Sequence, residues 1–177
     1  MAKLERSFCT AKAHTTGGRE NGVSRTSNGR LDIKLSAPGT PGTGTNPEEL
    51  FAVGWSACFL SAIKIVAAKK KIALPAEVAI DAEVDLGTTR GVFGLASRLT
   101  VALPGMEREA AQTLADAAYH SCPYSLAAEG NIEVAINVLK EVVTSQPIQW
   151  TEEVKVSEAI IRDRHPVIIN GLAPGRH

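Results

Sequence analysis

A long apolar segment in the first half of the chain constrains its fold more than any other feature. From Leu50 to Val66 the side chains are apolar on nearly every helical face, and Lys64 is the one charged residue. Asn46 is a favourable helix N-cap, Pro47 suits the first helical position, and Glu49 stands where a capping box places a carboxylate. A helix that is apolar all round has to be buried. The sequence therefore predicts a helix covered by sheet or by a partner chain.

The flanking segments carry the patterns of strands and of further helices. Alternating apolar and polar residues, together with turn signals, predict strands between residues 7 and 35 and at 78–84, 92–103 and 131–143. Further helices are predicted at 107–120 and 123–129. Because blocks of strands and helices follow one another without a regular βαβ alternation, the predicted fold class is α+β with antiparallel sheets.

Composition narrows the classes of function. Apolar residues make up 44% and charged residues 21% of the chain, as in soluble globular proteins. Lys and Arg equal Asp and Glu at 19 each, so we expect no nucleic-acid partner. No apolar run reaches about 18 uninterrupted residues, which argues against a membrane span. The charged start MAKLER is unlike a signal peptide, so we expect a cytoplasmic protein.

Two of the three cysteines lie in distinctive local sequences. Cys58 lies in TNPEELFAVGWSACF, in the middle of the predicted long helix, and Cys122 lies in HSCPYSLAAEGNIEV, just before a predicted helix start. Either one could be a buried core cysteine, since free Cys is among the most buried residue types. Cys9 has no comparable context and is predicted to be structural. The histidines are scattered without the spacing of a zinc site, so no metal is expected.

The two motifs, in this order, resemble those of the OsmC/Ohr family, and within it the organic hydroperoxide resistance branch. GGRENG at 17–22 and SNGRLDIKLSAP at 27–38 extend the similarity. The resemblance implies a peroxidase domain over residues 1–143 with an OsmC/Ohr-like fold, in which antiparallel sheets surround the long helix in an intertwined homodimer. Residues 144–177 lie beyond the resemblance and are expected to form a partly helical extension.

The resemblance also implies chemical roles for four residues. Cys58 would attack an organic hydroperoxide as a thiolate, and its sulfenic acid would condense with Cys122 to a disulfide. Arg19 would stabilise the thiolate, since a cysteine in mid-helix lacks the helix dipole and a guanidinium stays charged. Glu48 would orient Arg19. A dithiol reductant, for this family a lipoylated protein, would restore the thiols, and no cofactor is required.

The position of Glu48 leaves two arrangements open. Ten residues separate Glu48 from Cys58, which corresponds to about 15 Å along a helix. Glu48 therefore acts either through the long side chain of Arg19 or across the interface with a second subunit. Together with the all-round apolar helix, this gap predicts a homodimer that buries the helix between two chains.

Alternatives remain for the aromatic residues and for the activity. Phe51, Trp55 and Phe93 either form part of the core or line an apolar pocket for a lipid-like peroxide. The rivals to an organic hydroperoxide reductase are a general OsmC-type peroxidase with another peroxide preference, a thiol redox sensor without high turnover, and a structural or ligand-binding dimer module.

Overall fold

The computed structural model describes residues 4–139, which form two three-stranded sheets and four helices. The predicted extension at 144–177 and the end of the predicted domain at 143 lie outside the described residues. In chain order the elements are β1 (Ala13–Thr16), α1 (Gly18–Asn21), β2 (Val23–Thr26), β3 (Asp32–Lys34), α2 (Pro47–Lys70), β4 (Ala79–Thr89), β5 (Val92–Ala102), α3 (Arg108–Tyr119), α4 (Pro123–Ala128) and β6 (Glu133–Val138).

The predicted long helix is α2, and it begins and ends at local signals. The backbone N–H of Glu49 donates to Oδ1 of Asn46 at 2.8 Å, which satisfies one of the free N–H groups of the first turn. The carboxylate of Glu49 accepts from the hydroxyl of Thr45, so the predicted capping box forms only in part. At the other end Lys71 adopts the left-handed conformation with φ 56°, and its backbone N–H closes the last turn.

The first sheet has the strand order β1-β2-β3 and is antiparallel throughout. An Asn-Gly turn at Asn28 and Gly29 connects β2 to β3, and Gly29 takes the positive φ of 69° that favours glycine there. In the second sheet β4 and β5 form a long antiparallel hairpin, paired from Ala79–Ala102 to Thr89–Val92. The α+β fold class is confirmed.

The last strand of the second sheet departs from the prediction. β6 pairs with β5 in parallel, with Ala96 opposite Glu133 and Val101 opposite Val138. The expected antiparallel pairing is therefore wrong for this strand. The reason is the connection: α3 and α4 lie between β5 and β6, and a helical crossover of this length returns the chain to run in the same direction.

One side of helix α2 packs in the hydrophobic core of the described residues. Its buried side chains pack against β4 and α3, and the fully buried positions around it include Phe59, Ile63, Leu99 and Leu114. By length and composition alone α2 could cross a membrane, a test that the core helices of soluble proteins also pass. Its opposite side is open in the single chain, where Val53 is 68% exposed. Complete burial of α2 therefore stays a prediction.

Candidate active site

The two motif cysteines lie in direct contact. The Sγ atoms of Cys58 and Cys122 are 3.4 Å apart, although the residues are 64 positions apart in the chain. Both are free thiols, since a disulfide would bring the sulfur atoms to about 2.05 Å. Cys122 is completely buried, whereas Cys58 is partly exposed. The pair thus has one thiol that a substrate can reach and one that is shielded behind it.

Helix α4 brings Cys122 to α2. Cys122 is the N-cap of α4, and Pro123 occupies the first helical position, as the sequence predicts. One turn further, the indole Nε1–H of Trp55 donates to Oγ of Ser125 at 3.1 Å, and both side chains are fully buried. The contact between α2 and α4 therefore has a thiol pair at one point and a buried hydrogen bond at the next.

The surroundings of Cys58 favour its thiol form in the single chain. Burial is the largest cause that raises the pKa of Cys58, and the neighbouring Cys122 raises it further. The backbone N–H of Tyr124 hydrogen-bonds to the sulfur and opposes both effects, but the net pKa is raised. Among residues 4–139, no cation contributes to this balance.

The predicted activating residues lie together at the start of α2. Arg19 donates from both terminal nitrogens to the carboxylate of Glu48, at 2.8 and 3.3 Å. The Glu48 side chain is 11% exposed, so this is a partly buried, bidentate pair. Arg19 lies on α1, a single helical turn where the sequence predicts only a turn. Gly22 follows this turn as its C-cap. Only glycine fits there, because a Cβ would lie 2.1 Å from the carbonyl oxygen of Gly18.

The charge pair and the thiol pair are separate within one chain. Glu48 and Cys58 lie on the same helix about 15 Å apart along its axis. No hydrogen bond or ion pair joins Arg19 to Cys58 in the part of the chain that is described. Glu48 contacts Arg19 of the same chain, and the catalytic role of the pair stays a prediction.

An aromatic cluster lies beside the thiols. The ring of Phe51 is 5.2 Å from that of Trp55 and 6.0 Å from that of Tyr124. Tyr124 is a site residue that the sequence reasoning missed, although its place two residues after Cys122 was a usable signal. Trp55 is fully buried, so it supports the site from inside the core.

Phe93 lies apart from this cluster. It follows the turn of the β4–β5 hairpin, and its side chain is 66% exposed. A single chain does not bring Phe93 to the thiols, so its place in a substrate pocket remains a prediction that depends on a partner chain. Among the described residues, no group of three or more His, Cys, Asp or Glu side chains is arranged to hold a metal ion.

Comparison with known proteins agrees with this geometry. The family model described as OsmC-like protein matches residues 39–137, which include both cysteines. The organic hydroperoxide resistance protein of Xanthomonas axonopodis pv. citri is 49% identical over 142 residues, covering 78% of this chain and 99% of that protein. This chain belongs to the OsmC-like family. The resemblance inferred from the two cysteine motifs is confirmed.

Solved structures place the OsmC-like chain among organic hydroperoxide resistance proteins. The crystal structure of such a protein from Legionella pneumophila has a TM-score of 0.71 and 39% identity, covering 77% of this chain and all of that one. The structure of OhrB from Bacillus subtilis also has a TM-score of 0.71, with 36% identity over 75% of this chain and all of that one. These similarities confirm the OsmC/Ohr fold.

Proposed function

We propose that this OsmC-like protein reduces organic hydroperoxides to alcohols, with Cys58 as the attacking thiol and Cys122 as the resolving thiol. The observation that carries the proposal is the 3.4 Å contact between their sulfur atoms. The relatives named organic hydroperoxide resistance proteins support the substrate class.

The proposed cycle balances with a hydroperoxide and a dithiol as its only reactants. The Cys58 thiolate attacks the distal peroxide oxygen; an S–O bond forms, the O–O bond breaks, and the alkoxide takes up a proton and leaves as the alcohol. The sulfur of Cys122 then attacks the Cys58 sulfenic acid; an S–S bond forms, the S–O bond breaks, and water leaves. A dithiol reductant, proposed to be a lipoylated protein in the cytoplasm, restores both thiols by exchange.

Activation of Cys58 is the step that one chain does not explain. Its raised pKa calls for a cation, and Arg19 is the cation that the motif supplies. We propose a homodimer in which Arg19 of the partner subunit, held by its own Glu48, approaches Cys58. Two observations support this arrangement: the gap of about 15 Å along α2, and the exposed apolar side of that helix.

The aromatic cluster supports a preference for organic substrates. Phe51 packs on Tyr124, which is 40% exposed, beside the accessible thiol. Apolar surface that is removed from water contributes about 25 cal/mol per Å². An alkyl hydroperoxide would gain this contribution in its transition state, whereas hydrogen peroxide would not.

Intact-mass measurement after a stoichiometric dose of tert-butyl hydroperoxide tests the proposal. We expect the wild-type protein to lose two hydrogen atoms and to gain no oxygen, and a dithiol to reverse the change. The same protein should have a higher kcat/KM for tert-butyl hydroperoxide than for hydrogen peroxide. An unchanged mass would refute the thiol cycle, and oxidation without repeated turnover would favour a redox sensor.

A further inference from the structure

We infer that the buried hydrogen bond between Trp55 and Ser125 positions Cys122 for condensation with the Cys58 sulfenic acid. Both residues are positioning residues, since neither touches the reacting oxygen. The inference rests on the proposed function and extends it to the second chemical step. In that step, the contact between α2 and α4 next to the thiols would hold Cys122 in place.

The spacing of the four residues links the hydrogen bond to the thiol pair. Trp55 precedes Cys58 by three residues on α2, and Ser125 follows Cys122 by three residues at the start of α4. Residues three apart lie on the same face of a helix. The Trp55–Ser125 bond and the sulfur–sulfur contact are therefore neighbouring connections between the same two helices.

Helix α4 depends on such connections for its position. It has only six residues, and a helix of that length is not stable by itself. The bond is also costly to lose, because an indole N–H and a hydroxyl that are both fully buried would be left without partners. Close packing adds to it: at Gly54 a Cβ would lie 3.0 Å from the hydroxyl oxygen of Tyr124.

Condensation of Cys122 with the Cys58 sulfenic acid is the step that depends on the position of α4. The sulfur atoms have to move from 3.4 Å to about 2.05 Å, within a buried environment that fixes the direction of approach. A sulfenic acid that does not condense is oxidised to sulfinic acid by a second hydroperoxide molecule. Loosening α4 should therefore slow disulfide formation and increase over-oxidation, while attack on the peroxide by Cys58 proceeds.

The test compares Ser125→Ala and Trp55→Phe with the wild-type protein in rapid-mixing experiments read out by mass. We expect the first oxidation of Cys58 to stay within about twofold in Ser125→Ala, and disulfide formation to slow by about tenfold in both variants, as for one lost hydrogen bond. Excess hydroperoxide should convert a larger share of both variants to sulfinic acid. The double variant should be no slower than the slower single variant, because both changes remove the same bond.

Ser97→Ala is the matched control. Ser97 is also a buried serine, and its hydroxyl donates to the carbonyl oxygen of Glu83 at 3.1 Å in the second sheet. We expect this variant to lose a similar amount of stability and to keep the wild-type balance between disulfide and sulfinic acid. Wild-type condensation in both site variants would overturn the inference and leave the proposed function intact. Absence of a disulfide in the wild-type protein would overturn both.

Discussion

The thiol pair, Cys58 and Cys122, and the charge pair, Arg19 and Glu48, differ in where a single chain places them relative to the thiol of Cys58. Cys58 and Cys122 are 64 positions apart, yet the fold brings their sulfur atoms into contact through packed helices. Arg19 and Glu48 are also joined by the fold, but they meet about 15 Å along α2 from the thiol they are predicted to activate. A single chain therefore holds the two thiols in contact, whereas it keeps the charge pair apart from them.

The largest effect is expected from the thiol pair. Cys58→Ser should reduce hydroperoxide consumption to the background rate, because no other thiol is placed to attack. Cys122→Ser should complete one turnover and then stall as the sulfenic acid. Peroxide consumption with a dithiol reductant measures both, and Cys9→Ser, which changes an exposed free cysteine, is the control. Full multiple turnover by Cys122→Ser would remove its resolving role.

The charge pair should have the next largest effect. Opposite charge within about 4–6 Å lowers a pKa by about 1–3 units, so Arg19→Ala should slow the reaction at pH 7 by about 10- to 1,000-fold. Without the cation, burial keeps the pKa of Cys58 raised, so the thiol holds its proton and the rate recovers only as the pH rises. Thiolate absorbance against pH is the measurement.

Arg25→Ala provides the matched control for that prediction. Arg25 also pairs with a carboxylate, that of Asp32 in the first sheet, but this pair is largely exposed. We expect wild-type titration of Cys58 in this variant. An unchanged titration in Arg19→Ala as well would show that Arg19 does not activate the thiol.

The exposed side of α2 tests whether the two pairs meet across a dimer. Val53→Glu places a charge on that side and should convert the dimer to monomer with loss of most activity, since an obligate dimer depends on its interface. Leu4→Glu is the control, because Leu4 is also highly exposed, at 79% against 68% for Val53, and belongs to neither α2 nor the β4–β5 hairpin. Light scattering over a dilution series decides. A wild-type monomer with full activity would contradict the shared site.

The smallest effect is expected at an ion pair that serves only the second sheet. Arg98 lowers the pKa of Asp85, and both side chains are about half exposed. Asp85→Asn should therefore cost less than about 1 kcal/mol and leave turnover unchanged. Because the folded pKa is depressed, the stabilisation is present above about pH 3.9 and is lost as the pH falls through the folded value. Denaturant unfolding at pH 7 and pH 3 measures it.

Local signals explain what could be predicted from the sequence. The start of α2 at Asn46 follows from a cap and a proline that act within one turn. The two cysteine motifs indicated the family and its thiol pair. What could not be predicted depends on distant partners: β6 pairs in parallel because a crossover intervenes, and Trp55 meets Ser125 across 70 positions. The exposure of Phe93 follows from the length of a hairpin, which alternation alone does not fix.

The separation of the two cysteines along the chain has a consequence for the physical state of the oxidised protein. A disulfide between Cys58 and Cys122 would close a covalent loop of 64 positions that includes β4, β5 and α3. A loop of that size lowers the entropy of the unfolded chain and stabilises the fold by about 4 kcal/mol. Each turn of the cycle would thus alternate between a cross-linked form and a freer one. During peroxide stress, the form that accumulates would be the one that better resists heat and proteolysis.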